Sequence, residues 1–173
     1  PSMPLVQTDP IVKPILNTLD DNDFNDNSLY GISLVNARGS NLTLNGFSRN
    51  GHYDLWVEGE CSNYVDGSGG IAYRSDITGT TVTGDGYQEI ILCNAHNSVV
   101  RDLTLDNGTD KNNGILVVDS AGITVRNVTV TDSRGILVTG SDGVTVTGST
   151  VTKSASDGIA YDDAPNGTVT DNT

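Results

Sequence analysis

Residues 114–157 read GILVVDSAGITVRNVTVTDSRGILVTGSDGVTVTGSTVTKSASD. Gly114-Ile115-Leu116-Val117 returns as Gly135-Ile136-Leu137-Val138, 21 residues later. Ile123-Thr124-Val125 returns as Val144-Thr145-Val146 at the same offset, and Val128/Val130 as Ser149/Val151. Each copy holds about three short alternating runs broken by Gly, Asp, Asn and Ser. A period in the low twenties with several strands per period marks a solenoid.

The repeat extends in both directions. Gly158-Ile159-Ala160-Tyr161 opens a copy 23 residues after Ile136, and Leu103-Thr104-Leu105 lies 25 before the equivalent Val128 to Val130. Gly31-Ile32-Ser33-Leu34, Leu42-Thr43-Leu44 and Leu55-Trp56-Val57 continue it upstream. The count is about seven coils of 21–25 residues, the first and last incomplete. The register slips once. Val57 to Leu92 spans 35 residues, about a dozen too many, so an insertion is expected near residues 58–70 (EGECSNYVDGSGG).

The runs alternate Ile/Val/Leu with Thr/Ser, the period of a half-buried strand. Equivalent residues one coil apart must then stack in parallel about 4.8 Å from each other. Apolar side chains form inward ladders, and each coil depends on its neighbours to bury its inner face. One corner position is expected to hold Asn22, Gly46, Gly79, Asp102, Asn127, Gly148 and Asp171, residue types that accept a left-handed backbone. Amphipathic segments of helical length, which an α/β fold needs, are not visible. Residues 1–19 read as an extended or capping segment, with Pro14 opposing a long helix, and 20–173 as the repeat domain.

Composition narrows the partners. The chain has 173 residues, a net charge of −13 and only 5% aromatics. Duplex nucleic acid and anionic membranes would be repelled, and no apolar run reaches 18 residues, so no membrane insertion is expected. The acid is 19 Asp against 3 Glu. Asp suits tight turns; an acidic, Lys-poor surface also resembles proteins of extreme halophiles. The opening Pro1-Ser2-Met3-Pro4 and a last residue inside a repeat suggest a piece of a longer protein.

The Gly-Ile-x-Val and Ile-Thr-Val-x-Asn-x-x-Val patterns resemble the repeat of the pectate-lyase-like superfamily, over roughly residues 20–173. They are most similar to its carbohydrate-binding and sugar-hydrolase domains and to secreted archaeal relatives. The resemblance implies an all-β fold, a right-handed parallel β-helix. It says less about activity, because that superfamily includes lyases, hydrolases, epimerases, phage tailspikes and surface proteins.

Candidate chemistry gathers beside the slip. Arg49, His52, Tyr53 and Asp54 are a kit for proton abstraction from a uronic acid, with Arg neutralising the carboxylate and His or Tyr as base and acid; a polar turn would have the same composition. Asp162-Asp163 with Asp157 superficially resembles the paired aspartates of polygalacturonase-type hydrolases, but the Gly-His-Gly and Arg-Ile-Lys motifs of that family are absent. Trp56, Tyr64 and Tyr73 around residues 58–70 are candidates for stacking on sugar rings, or for covering a small core of that loop. Calcium could be held by Asp20, Asp21 and Asp23, or by Asp119 near Asp142; His52 and His96 are too isolated for zinc. Aligning the coils stacks Cys93 over Glu58, which leaves Cys61 in range of a disulfide. Asn41, Asn107, Asn127 and Asn166 head glycosylation sequons.

The leading expectation is an extracellular or cell-surface module that engages polysaccharide or a cell-surface glycan. The alternatives are a structural stalk, adhesin or tailspike segment with end-to-end or homo-oligomeric assembly, and an active lyase, epimerase or hydrolase.

Overall fold

The computed structural model of the protein describes residues 16–173. Most of the expected capping segment, including Pro14, lies outside them. Among the described residues every regular element is a strand, and every ladder is parallel. In order they are β1 (Thr18–Asp20), β2 (Asp23–Asn25), β3 (Tyr30–Val35), β4 (Asn41–Thr43), β5 (Gly46–Ser48), β6 (Tyr53–Glu58) and β7 (Tyr64–Asp66). Then come β8 (Ile71–Thr78), β9 (Thr81–Val82), β10 (Glu89–His96), β11 (Val99–Asp106), β12 (Ile115–Val118) and β13 (Thr124–Thr131). The last are β14 (Ile136–Thr139), β15 (Thr145–Thr147), β16 (Thr150–Thr152), β17 (Ile159–Asp162) and β18 (Thr168–Thr170).

The ladders fall into two stacks. In the first, β1–β4–β7, β2–β5 and β3–β6 repeat every 23 residues, as in Thr18↔Asn41↔Tyr64 and Tyr30↔Tyr53. In the second, β8–β10–β12–β14–β17 forms one sheet and β9–β11–β13–β15–β18 another, with β16 also on β13. Among the described residues no strand of the first stack pairs with a strand of the second. The register slip is therefore a change of ladder. Residues 58–70 are not simply inserted, since β7 inside them continues the first stack. Val57 is partnered by Leu34, and Leu92 by Arg74 and Val117, so Val57 and Leu92 are not equivalents.

The two stacks meet through a sheet that is buried on both faces. Ile90 and Leu92 of β10, with Ile115 and Val117 of β12, point into the core of the second stack. Their neighbours Ile91, Cys93, Leu116 and Val118 pack instead with Ile32, Leu34, Leu55 and Val57 of the first stack. A parallel sheet covered on both sides needs unbroken apolar strands rather than alternation. The runs Ile90-Ile91-Leu92-Cys93 and Ile115-Leu116-Val117-Val118 supply them. Each such Ile, Leu or Val side chain removed from water contributes about 1.5–3 kcal/mol. Cys61 and Cys93 are disulfide-bonded, with Cα atoms 5.3 Å apart, and tie the last coil of the first stack to this sheet. The expected bridge is present, but it joins two stacks rather than two rungs of one ladder.

The corners explain much of the Asp and Asn. Asp76, Asn94, Asp119, Gly140 and Asp163 occupy one corner of the second stack, all at φ between 46° and 57°. Gly79, Asn97, Gly122, Gly143 and Asn166 occupy the next, and Asp102, Asn127, Gly148 and Asp171 a third. The corner expected from sequence thus mixes positions, because Gly79 belongs to the second set and not with Asp102. Eight of the described aspartates have positive φ. Their side chains suit that backbone and also bond along the corner, as in Asn94 Nδ2 to Asp76 Oδ1 at 2.7 Å and Asn127 Nδ2 to Asp102 Oδ1 at 2.8 Å.

Candidate functional site

Strand β6 is the last of the β3–β6 ladder, so one edge of its backbone has no next coil to bond. Side chains of the second stack fill that role. Leu55 N donates to Glu89 Oε2 at 3.0 Å, and Asp54 N donates to Asn113 Oδ1 at 2.6 Å. Asn113 N donates to His52 O at 2.7 Å, and its carbonyl accepts from Arg134 N at 2.7 Å. The Asp54 carboxylate accepts from Asn50 and Asn113 side-chain amides at 2.7 Å each and from Asn112 at 3.3 Å. The joint is thus a buried polar network within an apolar contact, with nearly every group paired.

Two cavities open beside this joint. Tyr53 lines one and Asp54 the other. The larger, of about 380 Å³, is walled by Asp54, Asp106, Asn107, Asp110, Asn112 and Asn113. Much of this wall is bonded within itself, since the Asp54 clamp uses Asn112 and Asn113, and Asn107 Nδ2 donates to the carbonyls of Gln88 and Asn112. The smaller, of about 160 Å³, runs between the stacks. Tyr30, His52, Tyr53 and Trp56 line it from the first stack, and Arg134 and Asp157 are among those facing them from the second.

This groove holds a cluster of four rings. Tyr30 and Trp56 stack with centroids 5.3 Å apart and planes at 15°. Tyr53 lies tilted on Trp56 at 5.5 Å, and His52 meets Tyr30 edge-on at 6.0 Å. The origin is the coil itself, because Tyr30 is the ladder partner of Tyr53, and Ser33 that of Trp56. Burial, with the Arg134 charge second, pushes the His52 imidazole below its ordinary value, so it is neutral at pH 7. Burial, then the nearby Glu89 carboxyl, pushes the Tyr53 hydroxyl far up, while Arg134 opposes that shift. Burial raises Asp54 against the lowering effect of its Asn50 and Asn113 bonds.

The expected catalytic kit is divided by this geometry. His52 and Tyr53 line the groove, but Arg49 is turned away into a two-point ion pair with Asp26 at 2.6 and 2.7 Å, and Asp54 is the clamped carboxylate. Arg134 supplies the guanidinium instead. Of the expected stacking residues only Trp56 lies here. Tyr73 is buried and donates its hydroxyl to Cys61 O at 2.6 Å, with burial pushing it up to about 12; Tyr64 is 57% exposed on β7 and bonds Asp66. Asp157 reaches the groove, whereas Asp162 ends β17 and Asp163 sits at a corner, so the three do not form a hydrolase pair.

Asp119 is level with Gly140, not with Asp142, whose bridge partner is Ala121. Asp20 accepts from the Thr43 hydroxyl and Asp21 is a corner residue. Among the described residues no three acidic, His or Cys side chains converge on a point that could hold a metal ion. His96 Nδ1 accepts from Ala121 N at 3.0 Å. Asn41 is exposed on β4, while Asn127 and Asn166 are exposed but donate to Asp102 and Asp142.

Sequence reasoning missed Tyr30, Arg134 and Glu89. Tyr30 was within reach, since the 23-residue offset sets it under Tyr53. Arg134 and Glu89 arrive through lateral packing of two stacks, which no repeat register encodes.

A family model described as "Right handed beta helix region" matches residues 64–173. The aromatic half of the groove lies upstream of that match. No curated protein matches the chain. A solved structure from Parabacteroides merdae, described as a candidate glycosyl hydrolase, is similar at 12% identity and a TM-score of 0.41, over 90% of this chain and 78% of its own.

Proposed function

The chain belongs to the right-handed β-helix family, and from that premise we propose that it is a carbohydrate-binding domain. Its ligand is a neutral polysaccharide, held in the groove between the two stacks. The observation that carries this reading is the Tyr30–Trp56–Tyr53 cluster beside Arg134. Flat aromatic faces with a few placed polar groups are what a sugar ring needs, because its C–H face is apolar and its rim is hydroxyl. The −13 net charge and Asp157 in the groove wall favour a neutral glycan over a polyuronate. The Cys61–Cys93 bridge supports an extracellular or cell-surface setting, where disulfides persist.

Glycan arrays followed by calorimetric titration test the reading. A neutral oligosaccharide should bind, and Trp56→Ala should weaken it about tenfold, the equivalent of about 1.4 kcal/mol. Absence of binding to every glycan, or equal binding by wild type and Trp56→Ala, would overturn it.

A second reading, a uronate lyase or epimerase, draws on one observation. A neutral His52 and the Tyr53 hydroxyl share the groove with Arg134. Ultraviolet detection of unsaturated uronate products, abolished in His52→Ala, would support the lyase; activity that survives the change would exclude this site.

A further inference from the structure

Glu89 opens β10 and is completely enclosed, at 0% exposure. Its Oε2 accepts the Leu55 N–H, and its Oε1 has no hydrogen-bond partner. Asp54, 1% exposed, is the nearest acid and faces it from β6. Other groups close around the pair. Tyr53 from β6 faces Glu89, and Arg134 from the β13–β14 loop reaches Tyr53 rather than either carboxyl. Asp110 of the β11–β12 loop adds a further negative charge near Asp54. The amides of Asn50, Asn112 and Asn113 are directed at Asp54.

Two buried carboxyls in one joint, without a cation between them, do not both ionise. The donors decide which one keeps the proton. Asp54 has three side-chain amides to stabilise a carboxylate, whereas Glu89 has no side-chain donor among the described residues and is met only by backbone N–H groups of β6, those of Leu55 and Asp54. We propose that Glu89 is a proton-controlled clasp, which holds the two stacks together while protonated and loosens their joint when it ionises. The disulfide keeps the stacks tethered, so the opening is local and reversible.

The direction with pH follows. Burial, with Asp54 adding to it, raises the Glu89 carboxyl well above its ordinary value. The folded state therefore holds the proton more tightly than the unfolded chain. Its stabilising contribution is complete below the ordinary carboxylate range and is lost as pH rises through the raised folded value. This inference does not depend on what the groove binds.

Two measurements test it. Only three glutamates are present, so ¹³Cδ labelling of Glu resolves position 89. Its resonance should stay at the protonated shift at neutral pH. A carboxylate shift for Glu89 at neutral pH would overturn the proposal. Hydrogen exchange, corrected for the intrinsic pH dependence, should show joint protection at Leu55 falling about tenfold per unit once Glu89 ionises. In Glu89→Gln, whose amide oxygen still accepts from Leu55, protection should be independent of pH. The same pH dependence in wild type and Glu89→Gln would overturn the clasp.

Discussion

Tyr53 and Asp54 are consecutive in β6, yet one lines the aromatic groove and the other anchors the polar joint. Alternation alone does not sort them, because Trp56 shares the parity of Asp54 and still lines the groove. Asp54 is 1% exposed, and its carboxylate satisfies three amides at once. Removing it leaves those buried donors without their acceptor, which costs more than the bonds themselves. Asp54→Ala should therefore lower the unfolding free energy by about 3 kcal/mol. Asp54→Asn, which keeps one acceptor oxygen, should cost less. Urea titration of both variants checks the order. Arg49, by contrast, is an exposed pair with Asp26, and Arg49→Ala should leave stability nearly unchanged, since surface ion pairs contribute little.

At the scale of elements, β10 and β12 differ from β14 and β17 in a way the sequence displays. The former are apolar at every position from 90 to 93 and from 115 to 118. β14 ends in Thr139 and β17 in Asp162, and both are only partly covered. That loss of alternation marks the strands that lie under the first stack. The fold itself was legible, because the 21–25-residue repeat sets strand, corner and ladder. The break after Gly70 was legible only as a slip, since a repeat reports neighbours within a stack and not the packing of one stack on another. Gly135 shows how tightly the ladder constrains backbone. It sits at φ 81°, and a Cβ there would collide with the carbonyl oxygens of Gly158 and Asp157. Gly135→Ala should cost about 2–3 kcal/mol, visible as a lower thermal midpoint.

For the whole molecule, two short solenoids share one wall, and the groove exists only where they meet. His52, Tyr53 and Trp56 could be singled out from sequence because they cluster beside the slip. Arg134 could not, because 78 residues separate it from Trp56 and only the joint brings them together. The joint rests on apolar packing, the Glu89 and Asp54 network, and the Cys61–Cys93 bridge, which spans 32 residues of sequence. A loop of that length gives the disulfide about 3–4 kcal/mol. Cys61→Ser with Cys93→Ser should lower stability by that amount. Exchange should rise first in the first stack and at β10, before the rest of the second stack opens.

Amide chemical-shift mapping during titration with a neutral oligosaccharide addresses the shared-wall groove most directly. Shifts should appear together at Tyr30 and Trp56 in the first stack and at Arg134 and Asp157 in the second, and saturate with one affinity. Shifts confined to a single stack, or none at the groove while the glycan binds elsewhere, would contradict the assignment of function to the joint.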